Sequence, residues 1–154
     1  SEEIEGFAST LFWDMNVDDN AFITIKTKKR CISHLQLPCT EWRNLFSFEI
    51  YFSKAKLHIN GLGGSYGLET LTLFKMRAEM GPPLIQSWSW PGVEQSWERE
   101  TKMFLNSLKN NHLDSYLVNI NEAINILKVV ENVYSNGLYK PFKNSKSSEL
   151  LNNL

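Results

Sequence analysis

The stretch KLHINGLGGSYGLETLTLFKM (Lys56–Met76) decides the fold, because strand patterns lie on both sides of its glycines. A dinucleotide-binding loop needs G-x-G-x-x-G between a strand and a helix, so that helix amides meet the pyrophosphate. Gly61 and Gly63 fit this spacing, but Tyr66 stands at the third glycine position and no Gly-Lys-Ser/Thr follows. Leu68–Met76 then alternates with a period of two, which predicts a strand. We therefore interpret the glycines as a turn between two strands.

The rest of the first hundred residues also has strand patterns. Apolar and polar residues alternate in Ala21–Thr27, and Phe46–Phe52 places its phenylalanines on one face and Glu49 and Tyr51 on the other. Strands are predicted, besides Lys56–Ile59 and Leu68–Met76, over Gly6–Trp13, Ala21–Thr27, Cys31–Leu37, Phe46–Phe52 and Leu84–Trp90.

The last third changes to helical periodicity. Ser96–Asn111 and Asn119–Gly137 each predict an amphipathic helix, and Asn119 with Glu122 forms a capping box at the start of the second. Two apolar stripes are expected to pack, namely Trp97, Thr101, Phe104, Leu105 and Leu108 in the first helix, and Ile120, Ala123, Ile124, Leu127, Val130 and Tyr134 in the second.

Strands followed by helices predict an α+β fold, with an open, mostly antiparallel sheet of about six or seven strands and two C-terminal helices packed on one face. We expect one domain over residues 1–137 and a polar arm or tail over residues 138–154. Two helices cover only one face, so a second copy of the chain is expected on the other. The residues expected on that face are Thr24, Glu49, Tyr51, Thr70, Thr72 and Phe74.

Composition limits the classes of partner and compartment. The 154 residues carry a net charge of −1, which gives no electrostatic footprint for nucleic acid or an anionic membrane. No apolar run approaches the ~20 residues of a membrane helix. Cys31 and Cys39 could pair, but reduced thiols in a cytoplasmic protein are the favoured interpretation. A strand pattern that begins so near Ser1 suggests a fragment of a longer protein.

Few residues suit catalysis. His34, His58 and His112 have no metal-ligand spacing, and no G-x-S-x-G supports a serine nucleophile, so neither a metal site nor a catalytic residue is predicted. The tryptophans of Ser87–Gly92 could stack on a sugar or belong to a core or interface. The best contact candidates are Glu41, Trp42, Arg43 and Asn44, which suit a polyhydroxylated ligand and an interface equally.

With these residues on view, the chain resembles the C-terminal domain of the glucose–fructose oxidoreductase and inositol dehydrogenase family, Gfo/Idh/MocA. The resemblance covers roughly residues 5 to 137. Its segments, in order, are Asp18–Thr27, Thr40–Phe52, Lys56–Met76, Ser96–Leu108 and Asn119–Asn136.

The resemblance implies the substrate-side and oligomerising domain of an NAD(P)-dependent sugar or polyol oxidoreductase, which forms a homodimer or homotetramer through the sheet. The parent's Rossmann domain would bind NAD or NADP, and none is expected in this chain. The family's Glu-Lys-Pro motif is missing, and no histidine here has an aspartate four residues before it. No catalytic or cofactor-binding residue can therefore be assigned, and the chain alone is expected to be inactive. The alternative is a stand-alone, non-enzymatic sugar-binding or scaffold module.

Overall fold

A computed structural model describes residues 3–29, 31–112 and 114–136. Every strand pairs antiparallel with its neighbours, and both helices follow the strands, so the predicted α+β class is confirmed. The predicted arm over residues 138–154 lies outside the described residues. The elements are β1 (Glu3–Ser9), β2 (Asn20–Lys26), β3 (Ile32–Pro38), β4 (Ser47–Tyr51), β5 (Ala55–Asn60), β6 (Glu69–Lys75), β7 (Leu84–Trp90), α1 (Ser96–Asn110) and α2 (Ile120–Asn136).

The chain divides into two compact units, each with its own sheet. Unit 1 comprises residues 1–40 and 118–154 and contains the sheet β1-β2-β3 with helix α2. Unit 2 comprises residues 41–117 and contains the sheet β4-β5-β6-β7 with helix α1. Both sheets are simple antiparallel meanders, as expected for strands joined by short loops.

Unit 1 has a small apolar core. Ala8 of β1, Ile23 of β2 and Val133 of α2 are buried, and Val129 packs against them from the helix. The predicted stripe of α2 is not the packed face, because Leu127 and Val130 remain 66% and 41% exposed. Helix α2 is apolar on two sides, so periodicity alone selected the wrong one.

The start of α2 follows the prediction. Asn119 Oδ1 accepts the Glu122 backbone N–H at 3.1 Å, while Glu122 Oε2 accepts the Asn119 backbone N–H at 3.0 Å. This reciprocal pair is the predicted capping box, and it satisfies two backbone donors at the helix terminus.

Strand β1 ends at Ser9 rather than at the predicted Trp13, because a buried carboxylate takes the next amides. Asp19 accepts the backbone N–H groups of Leu11, Phe12 and Trp13, each at 2.8 Å. Amides turned towards one carboxylate cannot also continue a β-ladder, so the chain leaves the sheet despite its β-favouring sequence.

Unit 2 is built with little burial. Gly61 is the only buried residue among those described from 41 to 117, and helix α1 contains none. The helix is capped by Asn111, which adopts a left-handed conformation with φ of +49° and donates its N–H to the Leu108 carbonyl. Among the described elements of this unit, only the paired strands make extensive contact with one another.

Candidate functional site

The glycine loop between β5 and β6 is a turn whose amide donor is taken by the protein itself. Gly61, Gly63, Gly64 and Gly67 all have positive φ. The Gly63 N–H donates to Glu69 Oε1 at 2.8 Å, so a carboxylate already occupies the position that a phosphate oxygen would take. The strand–turn–strand arrangement matches the sequence interpretation of these glycines.

Gly61 is required for a close approach of two chain segments. A Cβ at this position would lie 2.4 Å from the carbonyl oxygen of Leu68, and the residue has φ of +79°. Its N–H also donates to the carbonyl of Phe46 at 3.1 Å. Gly61 therefore holds the end of β5 against Phe46, which precedes β4, and against Leu68, which precedes β6.

The second sheet has one polar and one apolar face. Antiparallel register places His58 opposite both Glu49 and Thr72, and Thr72 opposite Ser87, so alternate residues of all four strands share the polar face. Five of the six predicted interface residues lie together on this face, while Thr24 lies on the first sheet, with its Oγ1 3.2 Å from His34 Nδ1. The five are Glu49, Tyr51, Thr70, Thr72 and Phe74.

The polar face contains a cluster centred on Glu49. Lys56 Nζ lies 2.6 Å from Glu49 Oε1, and the Tyr51 hydroxyl donates to Glu49 Oε2. The same ammonium lies 5.4 Å from the centre of the Tyr51 ring and 5.2 Å from that of Phe74. A cation shared between a carboxylate and two aromatic rings presents a flat, partly apolar surface with charge balanced inside it.

Hydrogen bonding sets the protonation of this cluster. The Lys56 hydrogen bond, followed by that of Tyr51, holds the pKa of Glu49 below its usual range. The bond to Glu49 raises the pKa of Lys56 and that of Tyr51. At neutral pH the cluster is therefore a carboxylate, an ammonium and a neutral phenol, which can accept and donate hydrogen bonds but offers no basic amine.

The remaining polar residues of the face form pairs across the strands. Ser47 Oγ lies 3.0 Å from His58 Nε2, and Thr72 Oγ1 lies 3.1 Å from Ser87 Oγ. All four groups can exchange hydrogen bonds with a ligand hydroxyl or with a facing protein surface, because hydroxyl and imidazole groups both donate and accept.

The loop Glu41–Asn44 presents its side chains outward. All four residues are exposed, and Trp42 is 77% exposed with φ of +56°. A bulky residue in the left-handed region is strained by roughly 1 to 2 kcal/mol, and such strain is concentrated at functional positions. An indole plane beside a carboxylate, a guanidinium and an amide can stack on a sugar ring and bond its hydroxyls.

The structure separates the two cysteines. Cys31 and Cys39 lie just beyond opposite ends of β3, and both are exposed free thiols. Eight residues at a rise of about 3.4 Å separate their Cα atoms by roughly 27 Å, whereas a disulfide needs less than about 7 Å. They therefore do not pair within the chain.

Sequence reasoning missed the buried Asp19 cluster. Burial acts to raise the pKa of this carboxyl, but hydrogen bonds from Leu11, Trp13, Asn20 and Phe12 outweigh it and hold the pKa well below its usual range. The available signal was the pair of aspartates that closes the turn-prone segment after Trp13, since Asp accepts nearby backbone N–H groups.

Neither a metal-binding cluster nor a membrane-spanning helix is found among the described residues. Within residues 3–29, 31–112 and 114–136, no group of three or more His, Cys, Asp or Glu residues could hold a metal ion. Neither described helix is long and apolar enough to cross a membrane. The candidate site consists of the Glu41–Asn44 loop and the polar face of the second sheet.

Comparison with known proteins adds no assignment. No protein-family profile matches the chain, and no curated protein sequence matches it significantly.

Proposed function

We propose that this chain is the substrate-side and oligomerisation domain of a cytoplasmic NAD(P)-dependent sugar or polyol oxidoreductase. The carrying observation is Trp42, which is exposed and held at φ of +56° between Glu41 and Arg43. A largely exposed indole offers a flat apolar surface, and the apolar C–H face of a sugar or cyclitol ring can stack on such a surface.

The division of labour follows from the residues that the chain contains. A nicotinamide cofactor, bound by the Rossmann domain of the parent, would exchange a hydride with the carbinol carbon of the substrate. The residues of this chain would bind and orient that substrate. Trp42 would support the ring, while Glu41, Arg43 and Asn44 would bond its hydroxyl groups. None of them is proposed to take part in proton or hydride transfer.

The polar face of the second sheet would pack against a second copy of the chain. Glu49 and Lys56 neutralise each other on this face, and Thr70 and Thr72 add short hydroxyls. A face whose charges are paired can be buried in a symmetric interface without an unpaired charge. A dimer or tetramer would then form around this face.

A second candidate function uses the same loop without catalysis. A stand-alone sugar-binding or scaffold module would also require an exposed Trp42 with polar neighbours. The two functions differ in the partner domain. Only the oxidoreductase needs a Rossmann domain on the same polypeptide, whereas the module would bind sugar as its complete activity.

The test compares two tryptophans with equal exposure. Trp42 and Trp97 are each 77% exposed and both belong to unit 2. Titration of aldohexoses, pentoses and cyclitols is followed by isothermal titration calorimetry in the parent chain, Trp42→Ala and Trp97→Ala. We expect saturable binding that Trp42→Ala abolishes and Trp97→Ala retains. Absence of saturable binding, or equal loss in both variants, would overturn the role of the loop.

A kinetic assay separates the two functions. The chain is incubated with the sugar or cyclitol that binds and with NAD or NADP, and absorbance of the reduced nicotinamide is followed. We expect no turnover by the chain alone. Addition of a Rossmann domain from the same polypeptide would restore turnover for the oxidoreductase, while saturable binding without any such domain in the reading frame would establish the module.

A further inference from the structure

Strand β7 is an edge strand with an unusual composition. The order β4-β5-β6-β7 places it at the end of the second sheet, where it pairs with β6 over all seven of its residues. Among the described residues, no strand pairs with its other side. All seven side chains of Leu84–Trp90 are exposed, and none is charged. An edge with free backbone groups and no charge is a template for another strand.

The other three edge strands carry protection that β7 lacks. Strand β1 has Glu3 and Glu5, and β3 ends at Pro38. Strand β4 is only five residues long and has Glu49 at its centre, where two copies would place like charges opposite each other. Charges, prolines and short length are the usual devices against edge pairing. Their absence from β7 therefore distinguishes this edge within the described sheets.

The sequence around β7 is compatible with its own antiparallel copy. A two-fold axis at Ser87 places Leu84 opposite Trp90 of the second copy, Ile85 opposite Ser89, and Gln86 opposite Trp88. In each pair the two residue numbers are both even or both odd, so the two side chains lie on the same face of the combined sheet. The pairs combine aromatic with aliphatic or amide groups and serine with an aliphatic group, and none brings like charges together.

Two prolines fix this register. Pro83 and Pro91 stand four residues on either side of Ser87, immediately outside the strand. Proline cannot donate to a β-ladder. Any slip of two residues would set a strand residue of one copy against a proline of the other, so only the register centred on Ser87 pairs all seven residues of both copies.

We propose that two copies of the chain associate through antiparallel pairing of β7 with β7, centred on Ser87, to form a continuous eight-stranded sheet. This interface is formed by the backbone edge of β7 and does not rest on the proposed function, although the Ser87 side chain also lies on the polar face beside Thr72. Both copies use the same surface, as a closed two-fold dimer requires. If the polar face also pairs, the two interfaces together would give a tetramer.

Disulfide trapping tests the register. Ser87→Cys and Ser89→Cys are each made in a Cys31→Ser/Cys39→Ser background, and covalent dimer is measured after mild oxidation. Directly opposed Cβ atoms lie about 5 Å apart, which is close to disulfide distance. The two copies of residue 89 would be displaced by four residues, roughly 14 Å. We expect covalent dimer for Ser87→Cys only. Equal yields in the two variants, or none in either, would overturn the proposal.

Sedimentation tests the interface without cross-linking. Ser87→Lys places two ammonium groups opposite each other at the two-fold axis, whereas Ser65→Lys makes the same change in the glycine loop. We expect Ser87→Lys to halve the mass of the assembly and Ser65→Lys to leave it unchanged, with circular dichroism confirming the fold of both. An unchanged mass for folded Ser87→Lys would overturn the proposal. Loss of sugar binding in Trp42→Ala has no bearing on either result.

Discussion

The two units contain similar sheets, but they bury their residues differently. Unit 1 encloses Ala8, Ile23 and Val133 between its sheet and α2, and it also buries the polar residues Thr10, Asp19 and Asn20. Among its described residues, unit 2 buries only Gly61. A sheet packed against a helix has its own core, whereas helix α1 of unit 2 buries no residue, so the second sheet depends on strand pairing and on whatever covers its faces. Among the described residues, unit 1 therefore has a core of its own, whereas unit 2 leaves nearly all of its side chains at least partly exposed.

The largest expected effect is a loss of stability when the buried carboxylate of unit 1 is removed. Asp19→Ala removes the acceptor of three loop amides and of the Asn20 amide. The variant removes charge-assisted hydrogen bonds and leaves their buried donors unsatisfied. Together these changes predict a loss of about 4 kcal/mol in the free energy of unfolding. Urea unfolding at pH 7 measures it. Glu5→Ala, an exposed carboxylate on β1, is the control and should change stability by less than about 0.5 kcal/mol.

The same variant has a defined pH dependence. The pKa of Asp19 is lowered in the folded protein, so its stabilisation is complete above the ordinary aspartate pKa of about 4 and is lost as pH falls towards the folded value. The difference in stability between the parent and Asp19→Ala should therefore narrow progressively below about pH 4. A difference that stays constant into acid would show that the ionised carboxylate does not provide the stabilisation.

The next largest effect is expected at Gly61, the one residue buried among those described in unit 2. Gly61→Ala pays for a left-handed conformation and forces a Cβ to within 2.4 Å of the Leu68 carbonyl. We expect a loss of about 3 kcal/mol in the free energy of unfolding. Gly67→Ala is the matched control. Gly67 also has a positive φ, of +93°, but no atom lies within 4 Å of an added Cβ, so its free energy of unfolding should fall by only about 1 kcal/mol. Equal losses would mean that the second sheet tolerates movement at this turn.

The smallest expected effect concerns the Lys56–Glu49 ion pair on the polar face of unit 2. Lys56→Met removes the main hydrogen bond that lowers the pKa of Glu49, so that pKa should rise towards its ordinary value. Carbon-13 NMR titration of the side-chain carboxyl measures it, with Lys54→Met as the control. The pair is solvent-exposed, so global stability should change little and only above the ordinary glutamate pKa. A large stability loss would show that this pair helps to hold the sheet together.

Local signals predicted the elements well. Among the described residues, six strands and both helices lie within one residue of their predicted bounds, whereas β1 covers Glu3–Ser9 instead of Gly6–Trp13. The Asn119–Glu122 capping box was predictable because it involves residues three apart. The face shared by Glu49, Tyr51, Thr70, Thr72 and Phe74 also followed from a period of two once the strands paired. Sequence reasoning succeeds here because each of these features depends on near neighbours in the chain.

Features that depend on distant residues were not predictable in this way. The division into two sheets is a property of strand pairing, and the Asp19 cluster overrides the β-favouring sequence of Leu11–Trp13. The packed face of α2 could not be chosen from its pattern, because Val129 and Val133 compete with an equally apolar stripe. For the candidate site, the sequence placed Trp42 in a loop but could not show its left-handed backbone.

Asp19 also has a consequence for the kinetics of unfolding. Its N–H donates to Ser9, its carbonyl accepts the N–H of Cys39, and its carboxylate accepts the amides of Leu11, Phe12 and Trp13. These bonds connect the end of β1, the start of β2 and the end of β3, so they can all form only after the three strands have met. Interactions completed late in folding slow the escape from the native state more than they speed its formation. We therefore expect Asp19→Ala to speed the unfolding of unit 1 more than it slows its folding.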